Sequence, residues 1–568
     1  MKRLLPIIFS ITLAITSNKT QAQTETFEWV KQIEGIYPIN ATLDNQGNLL
    51  SIGYFKGTVD FDPSSNIQYL TANSTTYDSF IAKYTPEGNF IWAKQIEHEG
   101  SSDDLFMQSI SLDQNSNIII GGHYKGSIDI NPGIDSIIFT NSANSSSFIC
   151  KLDSVGNFIW ANQRSSSRIN SIAIDEDNNI YAGGSYSGYI DFDPDTSTSF
   201  LGTYSNENNS FITKFTPTGD FIWAEQFISD GSNSISSLTI DKSNNVITTG
   251  AIQDSVDFNP NPTEQYYLTS NGNFDIFICK LDSSGTFIWS KAIGGLESDE
   301  SRYIISDHTN NIYITGQYSD SIDLDPGLNT HYVSPTGDSE SFILKIDSLG
   351  EHIWSNAFHS SESILIAKIT LDPLKNIYST GHFTGTTDFD PGISTYNLNS
   401  SNSACFINKL NQDGSFDWSK MITSENGYSG GSSICVDDSF EVYTGGGFIG
   451  YNDFGIGTPN QILDGGSDAS GFIHKISQPI STVSLSELHS ESKYTLSPNP
   501  TSNFTQLFLG ENSIHKIAIF NITGKKVAQF LYDKKKLTLD ISNYKPGIYF
   551  IQIRGTAYTE VLKLVVNK

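Results

Sequence analysis

Trp29, Trp92, Trp160, Trp223, Trp289, Trp354 and Trp418 are separated by 63, 68, 63, 66, 65 and 64 residues, so this chain is built from repeats. The period is too long for a helical solenoid unit and fits four short strands with their turns, the content of one propeller blade. The wording around the tryptophans is close to constant. It runs from Gly88-Asn89-Phe90-Ile91-Trp92 and Gly219-Asp220-Phe221-Ile222-Trp223 to the variants Gly350-Glu351-His352-Ile353-Trp354 and Gly414-Ser415-Phe416-Asp417-Trp418.

A second apolar run, such as Phe80-Ile81-Ala82-Lys83 or Phe277-Ile278-Cys279-Lys280, precedes each phrase. The short segment between them, Asp282-Ser283-Ser284-Gly285 for example, predicts a hairpin. Upstream, a further pair such as Ile172 to Asp175 and Asn179 to Gly184 is joined by an Asp/Asn turn whose side chains bond their own backbone. Each repeat therefore holds four strands. The two ends of the repeat region complete one another: Phe27-Glu28-Trp29-Val30-Lys31 is a tryptophan strand with no repeat before it, and Ser470-Gly471-Phe472-Ile473-His474-Lys475 is a third strand with no tryptophan strand after it. Six whole units and one split unit predict an all-β fold, a seven-bladed β-propeller over 23–476 closed by pairing of the N-terminal strand into the last blade.

Aromatic platforms bind sugars and bases, but blades are packed on both faces. The tryptophans are therefore read as inter-blade core, each burying on the order of 200 Å². The hairpin resembles the Asp-box of sialidases and the tryptophan-docking repeat of quinone-dependent dehydrogenase propellers. Asp282-Ser283-Ser284-Gly285-Thr286-Phe287-Ile288-Trp289 has the acid, the glycine and the tryptophan in order, with a spacing that departs from both patterns. The repeats contain only Arg164, Arg168 and Arg302, a poor supply for the arginine cluster a sialidase places on its substrate carboxylate. The likeness is read as shared hairpin mechanics.

Met1-Lys2-Arg3, the apolar stretch Leu4 to Thr16 and the small-residue exit Thr20-Gln21-Ala22 predict a signal peptide over 1–22, cleaved before Gln23. No later run approaches the roughly 18 apolar residues of a membrane helix, so no transmembrane segment is expected. Cys150 is the first cysteine, which leaves lipoprotein anchoring unsupported, and it lies with Cys279 at matching positions of different repeats, too far apart to bridge. With Cys405 and Cys435 they are expected as four buried thiols. The net charge of −29 is concentrated between a basic leader and a basic tail. Such a field repels nucleic acid and favours cations or neutral, hydroxyl-rich ligands, and it also keeps a large exported domain soluble.

Much of the acid comes from a second repeated phrase, placed at the end of the second strand. It reads Asp60-Phe61-Asp62-Pro63, Asp129-Ile130-Asn131-Pro132, Asp191-Phe192-Asp193-Pro194, Asp257-Phe258-Asn259-Pro260, Asp323-Leu324-Asp325-Pro326 and Asp388-Phe389-Asp390-Pro391, with a degenerate Asp453-Phe454-Gly455. Strand alternation puts the oxygen-bearing residues on one side, so these loops are expected to ring one rim of the disc with carboxylates. The ring admits two readings: a set of calcium ligands, or Asp side chains capping the following turn while proline ends the strand. Histidines are scattered without metal-ligand spacing, and there is no G-x-S-x-G elbow, P-loop or dinucleotide fingerprint.

After a Ser-rich connector over 477–493 the period is gone. From Tyr494 to Lys568, β runs punctuated by Gly, Pro and Asn predict a small sandwich of about seven strands. This block resembles the C-terminal sorting domain of the type IX (Por) secretion system of Gram-negative bacteria. The resemblance rests on Pro498-Asn499-Pro500, Asn521-Ile522-Thr523-Gly524-Lys525, Pro546-Gly547-Ile548-Tyr549 and the closing Thr559-Glu560-Val561-Leu562-Lys563-Leu564, with Asn521 standing where many members have Asp. It implies passage across the inner membrane by the signal peptide and across the outer membrane by the type IX machinery, often with removal of the domain and attachment to surface lipopolysaccharide. The repeats are similar to the seven-bladed β-propeller repeat family, whose phrase is matched by Asp307 to Gly316; that family carries no single activity.

The chain is expected to be a monomeric propeller, secreted or held at the cell surface, that binds polysaccharide or another surface protein. A polysaccharide-active enzyme with carboxylates in the central funnel and a calcium-stabilised structural module are the alternatives.

Overall fold

The computed structural model describes residues 25–478 and 494–567, apart from 73–76, 100–104, 195–196, 203–207, 230, 425, 457–459, 500, 502, 510–514, 522–525, 533 and 555–558. The signal peptide, most of the connector, Pro500 and Gly524 lie outside the described residues. Strands are the only regular elements among those described. Contacts divide the chain into two compact units, Met1–Pro479 and Ile480–Lys568.

The strand ladders of the first unit form seven antiparallel four-stranded sets. The first takes Ile36–Leu43, Leu49–Phe55, Asp78–Tyr84 and Phe90–Glu99 in chain order. The last joins Tyr428–Val436, Val442–Ile449 and Ser470–Ser477 to Thr26–Glu34, with Trp29 opposite Lys475 and Ile33 opposite Gly471. First strands of successive sets touch one another in an unbroken cycle that returns from Tyr428–Val436 to Ile36–Leu43, so they surround a common axis as the blades of a closed propeller.

One contact recurs between neighbouring blades and explains the constant phrase. At several boundaries the third-strand lysine and the tryptophan of one blade donate to the same turn carbonyl of the next. Lys151 Nζ and Trp160 Nε1 reach Pro217 O at 3.0 and 3.3 Å, and Lys280 Nζ and Trp289 Nε1 reach Ser348 O at 3.2 and 3.2 Å. Across the chain ends, Lys475 Nζ and Trp29 Nε1 reach Pro86 O at 2.9 and 3.3 Å. The glycine of that turn has positive φ, and a Cβ on Gly219 (φ +89) would stand 2.8 Å from the Trp160 ring. The phrase Gly-x-Phe-Ile-Trp thus repeats because each glycine seats the tryptophan of the blade before it. The tryptophans lie between blades as expected but keep one edge at the surface; Trp418, 7% exposed, is the fully buried one. The same lysines close buried ion pairs within their own blades, Lys83–Asp44, Lys151–Asp113 and Lys280–Asp241, at 2.9, 3.0 and 2.8 Å. The four cysteines are free thiols, three buried and Cys435 partly so.

The acidic phrase is placed differently from the sequence expectation. In most blades it does not end the second strand but opens a separate short hairpin, such as Thr58–Asp60 with Tyr69–Thr71 or Tyr189–Asp191 with Phe200–Gly202. Some of these hairpins pair with the outermost strand of the preceding blade, where Glu97 lies opposite Asp129 and Ile228 opposite Asp257. The apolar centre of the phrase (Phe61, Phe192, Phe258, Phe389) is fully buried, and Phe61 packs 5.1 Å from Phe80. Each hairpin is therefore a clip with an apolar wedge beneath it, aromatic in most blades and Ile130 or Leu324 in two.

The second unit holds a three-stranded and a four-stranded sheet around the core of Tyr494, Leu507, Ile517, Ile551 and Leu564. Asn499 fastens the entry of this unit to its closing strand: its Nδ2 donates to Lys563 O at 2.6 Å, and its Oδ1 accepts from Val565 N at 2.8 Å. Pro498 lies beside it, its carbonyl accepting the Thr505 hydroxyl at 2.8 Å. Gly547 opens the strand Gly547–Arg554, and the buried Tyr549 donates its hydroxyl to Lys545 O at 3.0 Å.

Candidate functional site

Side chains shared by all repeats hold the blades together, so unit-specific chemistry must come from positions where the repeats differ. The acidic ring belongs to the first kind. Asp60 Oδ1 accepts from Asp62 N and Gln68 N at 3.1 and 2.8 Å, Asp129 Oδ1 from Asn131 N and Ile137 N at 3.1 and 2.9 Å, and Asp191 Oδ1 from Asp193 N and Ser199 N at 3.1 and 2.8 Å. Asp257, Asp323, Asp388 and Asp453 make the same two bonds in their own hairpins. The later acids continue the pattern: Asp62, Asp325 and Asp390 accept from Ser64 N, Gly327 N and Gly392 N. This geometry is turn capping. Among the described residues no three His, Cys, Asp or Glu side chains are arranged as a metal ligand set.

The hairpins also carry a feature that inspection of the acids alone missed. Opposite the first Asp stands an exposed apolar residue: Tyr69, Phe200, Tyr267, Tyr332 and Ile462 are 56, 48, 55, 67 and 50% exposed.

The register position that changes most from blade to blade is the pair between the start of the first strand and the end of the second. It is Tyr37–Tyr54 in the first blade, Phe106–His123 in the second, Arg168–Ser185 in the third, Glu300–Gln317 in the fifth and Gly430–Gly447 in the seventh. These pairs flank the axis at the face that carries the hairpins, because first strands line the axis and both ends lie at that face. On the side of blades 1 and 2 they build an aromatic wall. Tyr37 stacks on Tyr54 at 4.8 Å and 15°, Tyr77 stands edge-on to both at 5.7 and 5.1 Å, and Tyr54 meets Phe106 across the blade boundary at 5.8 Å. Lys56 Nζ lies 5.8 Å from the Tyr77 ring centre. Blade 7 has no side chains at this position but brings Tyr428, 43% exposed, toward Tyr37. Burial, followed by the neighbouring Tyr77, pushes the Tyr37 phenol up to about 12.

Polar groups face this wall from other blades. Arg302 Nη2 pairs with Glu300 at 2.9 Å and donates to Gln317 Oε1 at 3.0 Å. His382, which shares its repeat position with His123, is shifted below the usual imidazole value by burial and then by Arg302. The opposite end of the axis offers a polar cavity of about 210 Å³ between the turns at Asp175, Asp241 and Asp307. Its walls combine the repeated turn aspartates with Glu176, Lys242 and His308 from a turn position that varies between blades.

Comparison with known proteins bears on the second unit first. Residues 495–567 match the family model of the secretion system C-terminal sorting domain. The second unit is a type IX sorting domain. It directs the chain to the cell surface or the medium, and no described helix is long and apolar enough to cross a membrane. The first unit is similar to an uncharacterized WD repeat-containing protein of Acanthamoeba polyphaga mimivirus, 28% identical over 245 residues; the match takes in 38% of this chain and 18% of that protein, so this chain spans less than a fifth of its relative. Among solved structures, the Dos1 propeller superimposes with a TM-score of 0.39 at 9% identity, over 80% of this chain and 95% of that one. Virginiamycin B lyase from Staphylococcus aureus gives 0.34 at 10%, over 78% and 99%. PorZ, a surface component of the type-IX secretion system of Porphyromonas gingivalis, gives 0.21 at 12%, over 94% and 81%. The blades of this protein are established by its own strand ladders.

Proposed function

We propose that this protein is an exported surface propeller that binds a neutral polysaccharide at the aromatic mouth formed by blades 1, 2 and 7, after delivery by its sorting domain through the type IX machinery. The observation that supports this most is the stacked Tyr37–Tyr54 pair beside the Gly430–Gly447 position, which carries no side chain: the outer aromatic face suits a sugar ring, whose C–H face stacks on aromatics. The net charge of −29 favours uncharged over acidic polymers. No nucleophile–base pair or close carboxylate pair faces the wall among the groups described above, so binding rather than cleavage is the reading. The exposed aromatics of the hairpins favour a second reading, in which the rim docks another surface protein.

Retention on immobilised neutral polysaccharides tests the proposal. Tyr54→Ala is expected to weaken binding by about tenfold to a hundredfold, the effect of losing one central aromatic anchor. A thermal melt of the variant separates this loss from the packing that Tyr54 gives Tyr37, Tyr77 and Phe106. Asp62→Ala should bind normally, and the retained polymer should keep its chain length. Equal retention by the Tyr54 variant, or shortened polymer, contradicts the proposal.

A further inference from the structure

The residue before the third-strand lysine lies in the interior of every blade. In six of them it carries no group that changes charge in weakly acidic solution: Ala82, Cys150, Thr213, Cys279, Leu344 and Asn408 are all buried. The last blade, which is assembled from both ends of the repeat region, has His474 at this position, and it is 0% exposed.

His474 Nε2 lies 3.1 Å from the carbonyl oxygen of Phe454, the buried wedge of the last hairpin. A carbonyl only accepts, so the neutral imidazole keeps its proton on Nε2 and has a bare lone pair at Nδ1. Cys150 makes the corresponding bond in blade 2, its Sγ donating to Ile130 O at 3.8 Å. His474 Nδ1 is buried and has no partner. Phe27 and Phe454 flank the imidazole with ring centres at 5.7 and 6.1 Å, and the residue stands opposite Val30 of the N-terminal strand and Thr444 of the second strand.

Charged groups on the surrounding elements are committed elsewhere. Lys475, next on the same strand, directs its ammonium to Glu441 and Pro86 O, and Asp453, beside Phe454, caps Gly455 N and Gln461 N. On the N-terminal strand Glu28 accepts from Ser477 Oγ, and Lys31 reaches over Gly88 of blade 1. On blade 6 Lys409 pairs with Asp417, and Lys420 pairs with Glu25. His474 itself forms no ion pair among the described residues. A second proton would therefore create a buried, unpaired cation with an N–H that has no acceptor. Of the two rings over the imidazole, Phe454 is fully buried and Phe27 only partly, so water reaches Nδ1 by displacing Phe27. The ladder to the third strand is already irregular there, between Phe27 and Trp29.

We propose that His474 is an acid-released latch on the closure of the propeller: when the imidazole takes up its second proton, the start of the N-terminal strand Thr26–Glu34 lifts from the last blade and the ring opens where the two ends meet. Burial lowers the imidazole from 6.5 to about 4, with the bond to Phe454 O opposing the shift. The neutral latch therefore contributes its full stabilisation above pH 6.5, and that contribution is lost as pH falls through 6.5 toward 4. The corresponding position of the other six blades gives acid no such foothold.

Pulsed hydrogen exchange of the full exported chain at pH 7.5 and pH 5, corrected for intrinsic exchange rates, tests the latch. In the wild type the opening constant of peptides within Thr26–Glu34 should rise roughly thirtyfold between the two pH values, ahead of peptides from the other blades. His474→Asn, which copies Asn408 one blade earlier, should open equally at both; His474→Leu, which copies Leu344 of blade 5, takes its place if the first variant does not fold. A neutral variant whose N-terminal strand opens at pH 5 as the wild type does would overturn the proposal. So would a wild type in which Thr26–Glu34 keeps its opening constant at pH 5, or opens no earlier than Ile36–Leu43.

Discussion

Removing Thr26–Glu34 is expected to abolish the cooperative unfolding transition of the propeller and to drive the protein into soluble or insoluble aggregates. The strand is the outermost ribbon of the last blade, paired from Thr26 opposite Ser477 to Glu34 opposite Ser470. Its loss uncovers the third strand Ser470–Ser477, whose residues are buried along nearly the whole length, and leaves a row of open backbone donors and acceptors on an apolar ribbon. It also removes Ile33, which is 2% exposed, and the Trp29 contact with the turn of blade 1, so the Pro86 carbonyl keeps only its bond from Lys475. Burial of one tryptophan and one isoleucine is worth roughly 4–6 kcal/mol at about 25 cal/mol per Å². That is a large part of the 5–15 kcal/mol by which domains are stable. Thermal melts with light scattering check this. A monomer with an unchanged midpoint would show that the ring does not depend on its N-terminal strand.

Glu340→Ala is expected to destabilise the protein by about 3–5 kcal/mol, the range for removing one partner of a buried, hydrogen-bonded charge. Glu340 is fully buried at the start of the third strand of blade 5. Its Oε1 accepts from Thr336 N, Thr336 Oγ1 and Ser360 N at 2.9, 2.8 and 3.1 Å, and its Oε2 accepts from Tyr318 Oη and faces His359 Nδ1, both at 2.8 Å. Burial alone would push the carboxyl up, but His359 and the Thr336 donors together hold it down to about 2. A depressed carboxylate stabilises the fold above its unfolded value near 4.5, and that contribution is lost as pH falls toward 2. His359 is shifted upward by the same contact, so its share is complete below its unfolded value of 6.5 and fades as pH rises through the folded value. Urea titrations should therefore find the gap between wild type and Glu340→Ala widest between about pH 4.5 and 6.5. A gap that grows below pH 4 would show that the carboxylate is not the source.

The blades could be read from the chain because their contacts repeat with the period: six of the third-strand lysines, Lys83, Lys151, Lys214, Lys280, Lys345 and Lys475, reach the same turn carbonyl one repeat on. The hairpins were less legible. Asp60-Phe61-Asp62-Pro63 alternates like a strand end, and nothing in the letters says that Phe61 turns inward as a wedge while Asp60 folds its own loop. The aromatic mouth escaped notice for a related reason. A search for recurring phrases favours positions that are the same in every blade, whereas Tyr37, Tyr54 and Phe106 sit where the blades differ. Aligning the repeats and reading the most variable position would have found them. The change from Leu344 and Asn408 to His474 is also visible in such an alignment, but its burial is not, and burial is what gives the change meaning.

Hydrogen–deuterium exchange of the exported chain, with and without a retained neutral polysaccharide, tests most directly whether the variable mouth of the closed ring is the binding surface. Protection is predicted to concentrate in the peptides that carry Tyr37, Tyr54, Phe106 and Tyr428, leaving the hairpin tips and residues 494–567 unchanged. Protection confined to the hairpin tips or to the sorting domain, with the mouth peptides exchanging as in the free protein, would contradict the account.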